Sequence, residues 1–305
     1  MARLPRDFEN AINQSEDVLG NLNDLFDREL FQFVQELEAY ILALVTRVNG
    51  GLAVNGDQII RDSANLQRAM NARTEIINYA TANFGEFADD WIRQFDKVAA
   101  FTIDNLNLSR IPAAFTDVDG AILNAIKERV RVRLGTGSDL VFQELTGDLI
   151  RETMIGGSFK NLITKIKSRL LSAPLVGEAI PVGQSLEAIV ARIGHDSLME
   201  TYRTVHSVKA EQSGAKKFLY HGQIVKNTRP FCRERKGKVF DLTVIKSWNN
   251  MQWRGKIVGT DVRITLGGYN CLDSLQAVPP QFEDAISKLD DLILTREAQA
   301  RGQAA

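Results

Sequence analysis

The side chains best able to do chemistry in this 305-residue chain are few and far apart. There are two cysteines, Cys232 in "TRPFCRER" and Cys271 in "GGYNCLDSL", and three histidines, His195, His206 and His221. A thiol beside an imidazole becomes a nucleophile when the base takes its proton, and His221 with Cys232 is a pairing close enough in sequence to consider. A core or surface histidine is the simpler reading of each. Two thiols are too few for a self-sufficient zinc site without a histidine or carboxylate. A P-loop, a G-x-S-x-G elbow, an H-E-x-x-H and a paired C-x-x-C are all missing. No catalytic residue, metal ligand or cofactor is therefore assigned. Each cysteine does sit beside turn residues at the end of a strand-like segment. The pair is expected to lie side by side as a structural clasp, and if oxidised it would close 38 intervening residues for about 3 to 4 kcal/mol in the chain-entropy account.

The second group with chemical reach is cationic. Arg229, Arg233, Arg235, Lys236 and Lys238 crowd into "TRPFCRERKGK", and guanidinium groups take phosphate oxygens in pairs. Without an ordered base-reading helix in that stretch, the chemistry implied is weak double-stranded DNA binding with no sequence preference. Tyr220, Phe231, Trp248 and Trp253 lie among these cations and read more simply as core than as a stacking platform. A division of charge runs along the chain behind its net of −1. Residues 200–278 hold 14 Lys or Arg against 6 Asp or Glu, residues 1–199 hold 20 against 27, and the tail holds 3 against 5. A basic segment joined to an acidic one suits contact with nucleic acid or an acidic protein.

The elements that must position these residues are mostly helices. Leu30, Val34, Leu37, Ile41, Leu44 and Val48 recur in steps of four and three, a heptad seam that predicts a helix over 25–48, packed on another helix and closed by "NGG". Truncation before residue 50 is expected to leave the C-terminal module folded. The stretch from "DQIIRDSANLQ" to "IDNL" carries apolar residues at helical spacing, read as two or three antiparallel helices. "DVDGAILNAIKERVRVRL" is a further helix that ends at a "GTGSD" turn before "LVFQELTGDLIRETM". Flexible connections are expected near 156 and from 173 to 184, and a last helix runs from Leu186 to Val205. Beyond Ser213, "KKFLYHGQI", "GKVFDLTVI" and "DVRITLGG" read as short strands.

The fold class expected is therefore α+β: a helical arm or bundle over 1–185, an α+β module over 186–278 and a C-terminal helix or tail over 279–305. The longest apolar runs, such as "YILALV", fall well short of the ~20 residues needed to span a bilayer, and the first residues lack the apolar core of a signal peptide. The reading is a soluble protein made in the cytoplasm.

The stretch from "TYRTVHSVKA" to "CLDSLQAV" resembles the C-terminal domain of tailed-phage head morphogenesis proteins, the minor head proteins of the phage Mu F-like kind. Thr228, Arg229, Pro230, Phe231 and Cys232 match one block of that family, Ile245 and Trp248 a second, and Gly267, Gly268, Tyr269, Asn270 and Cys271 the closing one. "VNGDQIIRDSANLQRAMNA" is similar to a segment these proteins carry before their helical middle. Family members usually continue with Arg-His after the closing cysteine. This chain has Leu272 and Asp273, so a metal ligand supplied by that histidine is lost unless Asp273 replaces it. The resemblance implies a structural virion protein without enzymatic activity, in several copies at the portal vertex or capsid interior. Its implied partners are portal, capsid or scaffold proteins and double-stranded DNA, with no membrane. The competing implication is a nuclease-like or ADP-ribosyltransferase-like phage effector using His206, His221 and Arg229.

Overall fold

A computed structural model describes residues 5–171, 185–222, 224–226 and 228–283. The class is α+β, with long helices through the N-terminal two-thirds and small antiparallel sheets. Helix α1 (Arg6–Thr46) begins well before the predicted residue 25. Its seam is core: Leu30, Val34, Leu37, Ile41 and Leu44 are buried, while Val48, past the helix end, is exposed. The chain then turns through Gly50, whose φ of +94° suits glycine, into a hairpin of β1 (Val54–Asn55) and β2 (Gln58–Ile59).

Helix α2 (Ser63–Leu108) is one uninterrupted helix where two or three were expected. Asn65 fixes its entry: the buried amide accepts from Ala53 N at 2.8 Å and donates to Ala53 O at 2.9 Å and Ile60 O at 2.8 Å. Helix α3 (Asp117–Ile155) passes straight through "GTGSD", which was expected to turn. The reason is packing. A Cβ on Gly137 would sit 3.0 and 3.1 Å from Ile189 and Ile193, so the glycine lets two helices approach and its helical cost of about 1 kcal/mol is offset. Around the predicted link at 156, Gly156 has φ +68°, and Ser158 then caps α4 (Phe159–Leu170) by accepting from Asn161 N at 3.1 Å. The link expected at 173–184 and the tail from 284 onward lie outside the described residues.

Helix α5 (Leu186–Gln212) leads into a three-stranded antiparallel sheet ordered β4-β3-β5. Strand β3 (Lys217–His221) pairs with β4 (Val239–Asp241) and β5 (Ser274–Ala277), setting Tyr220 opposite Leu275. Between these strands come α6 (Pro230–Arg233), α7 (Leu242–Ser247) and α8 (Val262–Thr265). Two predicted strands are thus corrected. "GKVFDLTVI" is extended only over Val239–Asp241 before turning helical, and "DVRITLGG" is a short helix. At α8 the Asp261 carboxylate accepts from Arg263 N at 2.9 Å, and this N-cap overrides the β preference of Val262, Ile264 and Thr265.

The chain divides into two compact units that interleave in sequence, in place of the consecutive domains expected with boundaries at 185 and 278. Among the described residues, one holds 5–22, 94–126 and those from 195 to 283; the other holds 23–93 and those from 127 to 194. The reason is helix length, since α1, α2, α3 and α5 each supply residues to both. The first unit overturns one expectation about the arm. Phe8 and Ile12 are buried with Leu219 and Val278, and the buried Asn105 donates to Ala11 O at 2.5 Å. Residues 6–22 therefore belong to the core that the C-terminal module needs, and deleting everything before residue 50 would open that core.

Two helical glycines make the packing testable. A Cβ on Gly194 would overlap the Phe26 ring, whereas one on Gly85 meets nothing within 4 Å. In urea unfolding, Gly194→Ala should lose about 1 to 3 kcal/mol by overpacking, and Gly85→Ala should gain roughly 0.5 to 1 kcal/mol.

Candidate functional site

The candidate site lies in the unit that holds the sheet, where residues distant in sequence meet. Cys232 is carried by α6, whose first residue is Pro230. Cys271 comes after a tight turn in which Leu266, Gly268 and Asn270 have φ of 41°, 98° and 56°. That turn closes on the first cysteine. A Cβ on Gly267 would overlap Cys232 Sγ and lie 3.0 Å from Cys271 Sγ, and one on Gly268 would strike Gly255 O. Only glycine permits that approach.

Both cysteines are buried and unbonded thiols. Their sulfurs and an Asp273 oxygen all lie within 4.8 Å of one another. Asp273 Oδ2 is 3.7 Å from Cys271 Sγ and accepts from the Tyr220 hydroxyl at 3.3 Å. Its Oδ1 pairs with Lys236 Nζ at 2.7 Å, both side chains being less than a tenth exposed. A Cβ on Gly222 would run into Oδ1, so "HG" after β3 also clears space for the carboxylate.

Arg203 of α5 holds the closing turn. Its buried guanidinium donates to Asp273 O at 2.9 and 2.6 Å, to Ile264 O at 3.0 Å and to Cys271 O. Asp196, a further residue of α5, accepts from Asn270 N at 2.6 Å. The electrostatics reflect this arrangement. A hydrogen bond from Cys232 pulls the Cys271 thiol down to about 6, with Arg203 adding to it, while the same bond and burial push the Cys232 thiol up.

The aromatic residues of the module form its core. Phe231 stacks on Trp253 with centroids 3.9 Å apart and meets Trp248 edge-on at 5.7 Å. Trp253 Nε1 donates to Gly267 O at 3.1 Å, tying that core to the closing turn. Tyr269 is exposed. Thr228 accepts from Val225 N at 2.7 Å, and Arg229 donates to Tyr269 O at 2.6 Å.

Two members of the predicted phosphate-binding set are corrected. Arg235 lies 4.0 Å above the Phe231 ring and 4.8 Å from Trp248 and donates to Phe231 O at 2.8 Å; burial lowers its pKa. Lys236 is the buried partner of Asp273. Both cations are held inside by contacts that a sequence run cannot reveal. Arg233 is exposed, with Nη2 3.5 Å from Thr228 O, and Lys238 is half-buried. Of the histidines weighed for an effector enzyme, His206 is enclosed at 2% exposure and His221 Nε2 lies 2.8 Å from Glu16 Oε1.

Sequence reasoning missed Arg203, Tyr220 as a polar partner, and the inward turn of Lys236. Asp273 was visible only as a departure from a family pattern, and Arg203 carried no signal, being one cation among many on a helix.

No family model, no curated protein and no solved structure matches this chain.

Burial at this site has two measurable consequences. Arg235→Ala should destabilise by about 1 to 3 kcal/mol, since a desolvated cation–π contact and aliphatic packing go together, while Arg233→Ala should stay within roughly 0.5 kcal/mol; thermal melts of the two variants decide. Burial also lowers the His206 pKa to about 4, and its Nδ1 makes no hydrogen bond among the described residues. The unfolded chain therefore binds the extra proton as pH falls below about 6.5, so His206 costs stability progressively down to its folded value, by up to about 3 kcal/mol. His206→Leu should flatten the stability profile between pH 7 and 5 in urea titrations; an unchanged slope would refute this.

Proposed function

We propose that this chain is a structural virion protein, a minor head protein acting in phage head morphogenesis at the portal vertex or capsid interior. Its partners on this reading are portal, capsid or scaffold proteins, and it contacts packaged double-stranded DNA without enzymatic activity. One observation carries the proposal. The blocks that resemble the phage Mu F-like domain are separated by tens of residues, yet their members pack against each other in one core: Phe231 on Trp248, Ile245 in the same cluster, and Gly267 against both sulfurs. Blocks that matched by chance would have no reason to converge. Among the described residues no helix is long and apolar enough to cross a membrane.

The DNA contact on this reading falls to Arg233, Lys238 and Arg229, because Arg235 and Lys236 face inward. An asymmetric reconstruction of heads assembled with this chain is expected to show its density at the portal vertex; particles without it would overturn the assembly role. In gel-shift assays over a salt series, binding to duplex DNA should weaken steeply with salt, and Arg233→Glu with Lys238→Glu should lower it for all sequences alike. Cleavage of the labelled DNA that is lost in His221→Ala would instead favour the nuclease-like reading.

A further inference from the structure

We propose that Cys232, Cys271 and Asp273 form a binding site for a thiophilic divalent cation of the zinc class. Two thiols and one carboxylate, all able to ligate a metal once deprotonated, have been gathered at one place. Their donor atoms lie within 4.8 Å of one another, and the Cys271 Sγ to Asp273 Oδ2 separation of 3.7 Å matches an edge of a tetrahedron with metal–sulfur and metal–oxygen bonds of about 2.3 and 2.0 Å. All three residues are buried. Thiolates select soft and borderline cations over magnesium or calcium, and a single carboxylate oxygen completes a three-ligand set with room for a fourth donor, from the neighbouring Tyr220 hydroxyl or from water.

The surroundings are built as an outer shell. Lys236 bonds Oδ1 at 2.7 Å and leaves Oδ2 turned toward the sulfur, which is how a ligating carboxylate is oriented by its second partner. Arg203 fixes both ligands of the closing turn through the carbonyls of Cys271 and Asp273. Gly267 and Gly222 are close to the sulfurs and to Oδ1 respectively, so that a methyl group at either place would occupy the space beside the donors. On binding, each thiol still protonated releases its proton to solvent as its metal–sulfur bond forms.

The test uses the full chain. Reduced protein stripped with a chelator and titrated anaerobically with cobalt(II) should develop a near-ultraviolet sulfur-to-cobalt charge-transfer band with the intense visible bands of tetrahedral cobalt, saturating at one ion per chain. Zinc should then displace the cobalt and raise the melting temperature. Cys232→Ser and Cys271→Ser should each abolish the charge-transfer spectrum or halve it, and Asp273→Asn should weaken binding at least tenfold. Because a cysteine variant could unfold for reasons of packing, circular dichroism is recorded on each, and the wild-type titration decides alone if they do. Folded, reduced wild-type protein that gives no charge-transfer band and retains no metal by mass spectrometry overturns the proposal.

Discussion

A buried guanidinium organises the C-terminal part of this molecule. Arg203 stands on α5, a helix rigid enough to present it at a fixed place, and donates to the carbonyls of Ile264, Cys271 and Asp273. An enclosed cation must have its donors satisfied or its burial costs several kcal/mol. The chain meets that requirement with backbone oxygens of one turn, and the turn is thereby held against the helix. The left-handed residues of the turn, the approach of Gly267 to the two sulfurs and the direction of the Asp273 carboxylate all depend on this anchoring. Asp196 adds a second tie from the same helix, through Asn270 N.

Charge is handled inside this unit as carefully as apolar surface. Lys236 is neutralised by Asp273, and the buried Lys209 by Asp119, which also accepts from Thr116 N and Oγ1 at 2.7 Å. Arg235 is covered by aromatic faces. A basic stretch of sequence is therefore not a basic surface of equal strength: some of its cations are structural, and the field available to a phosphate backbone comes from the remainder. This is why the proposed DNA contact is narrower than the charge count suggests, and why the proposed assembly role is argued from the convergence of Phe231, Trp248, Gly267 and the cysteines and not from net charge.

The sequence by itself determined the class and much of the local order. The heptad seam of Leu30 to Leu44 marks a core-facing helix, because apolar side chains at that spacing must share one face whatever packs on them. The short run of Phe218, Leu219 and Tyr220 before a glycine pointed to β3 through its aromatic content, and all three are buried. The two cysteines beside turn residues, and the blocks around them, pointed to the region where the candidate site lies. Tertiary structure decided the rest, since the deciding forces act between residues far apart in the chain. "GTGSD" stays helical because Ile189 and Ile193 need the space over Gly137; "DVRITLGG" is helical because one carboxylate caps it. Arg203 became a partner of the cysteine turn only through the backbone carbonyls of Cys271 and Asp273, to which no spacing in the sequence corresponds. Whether Arg235 and Lys236 faced solvent or core depended on aromatic rings and a carboxylate brought to them by the fold, because the desolvation of a charge is set by its three-dimensional neighbours and not by the residues beside it in sequence.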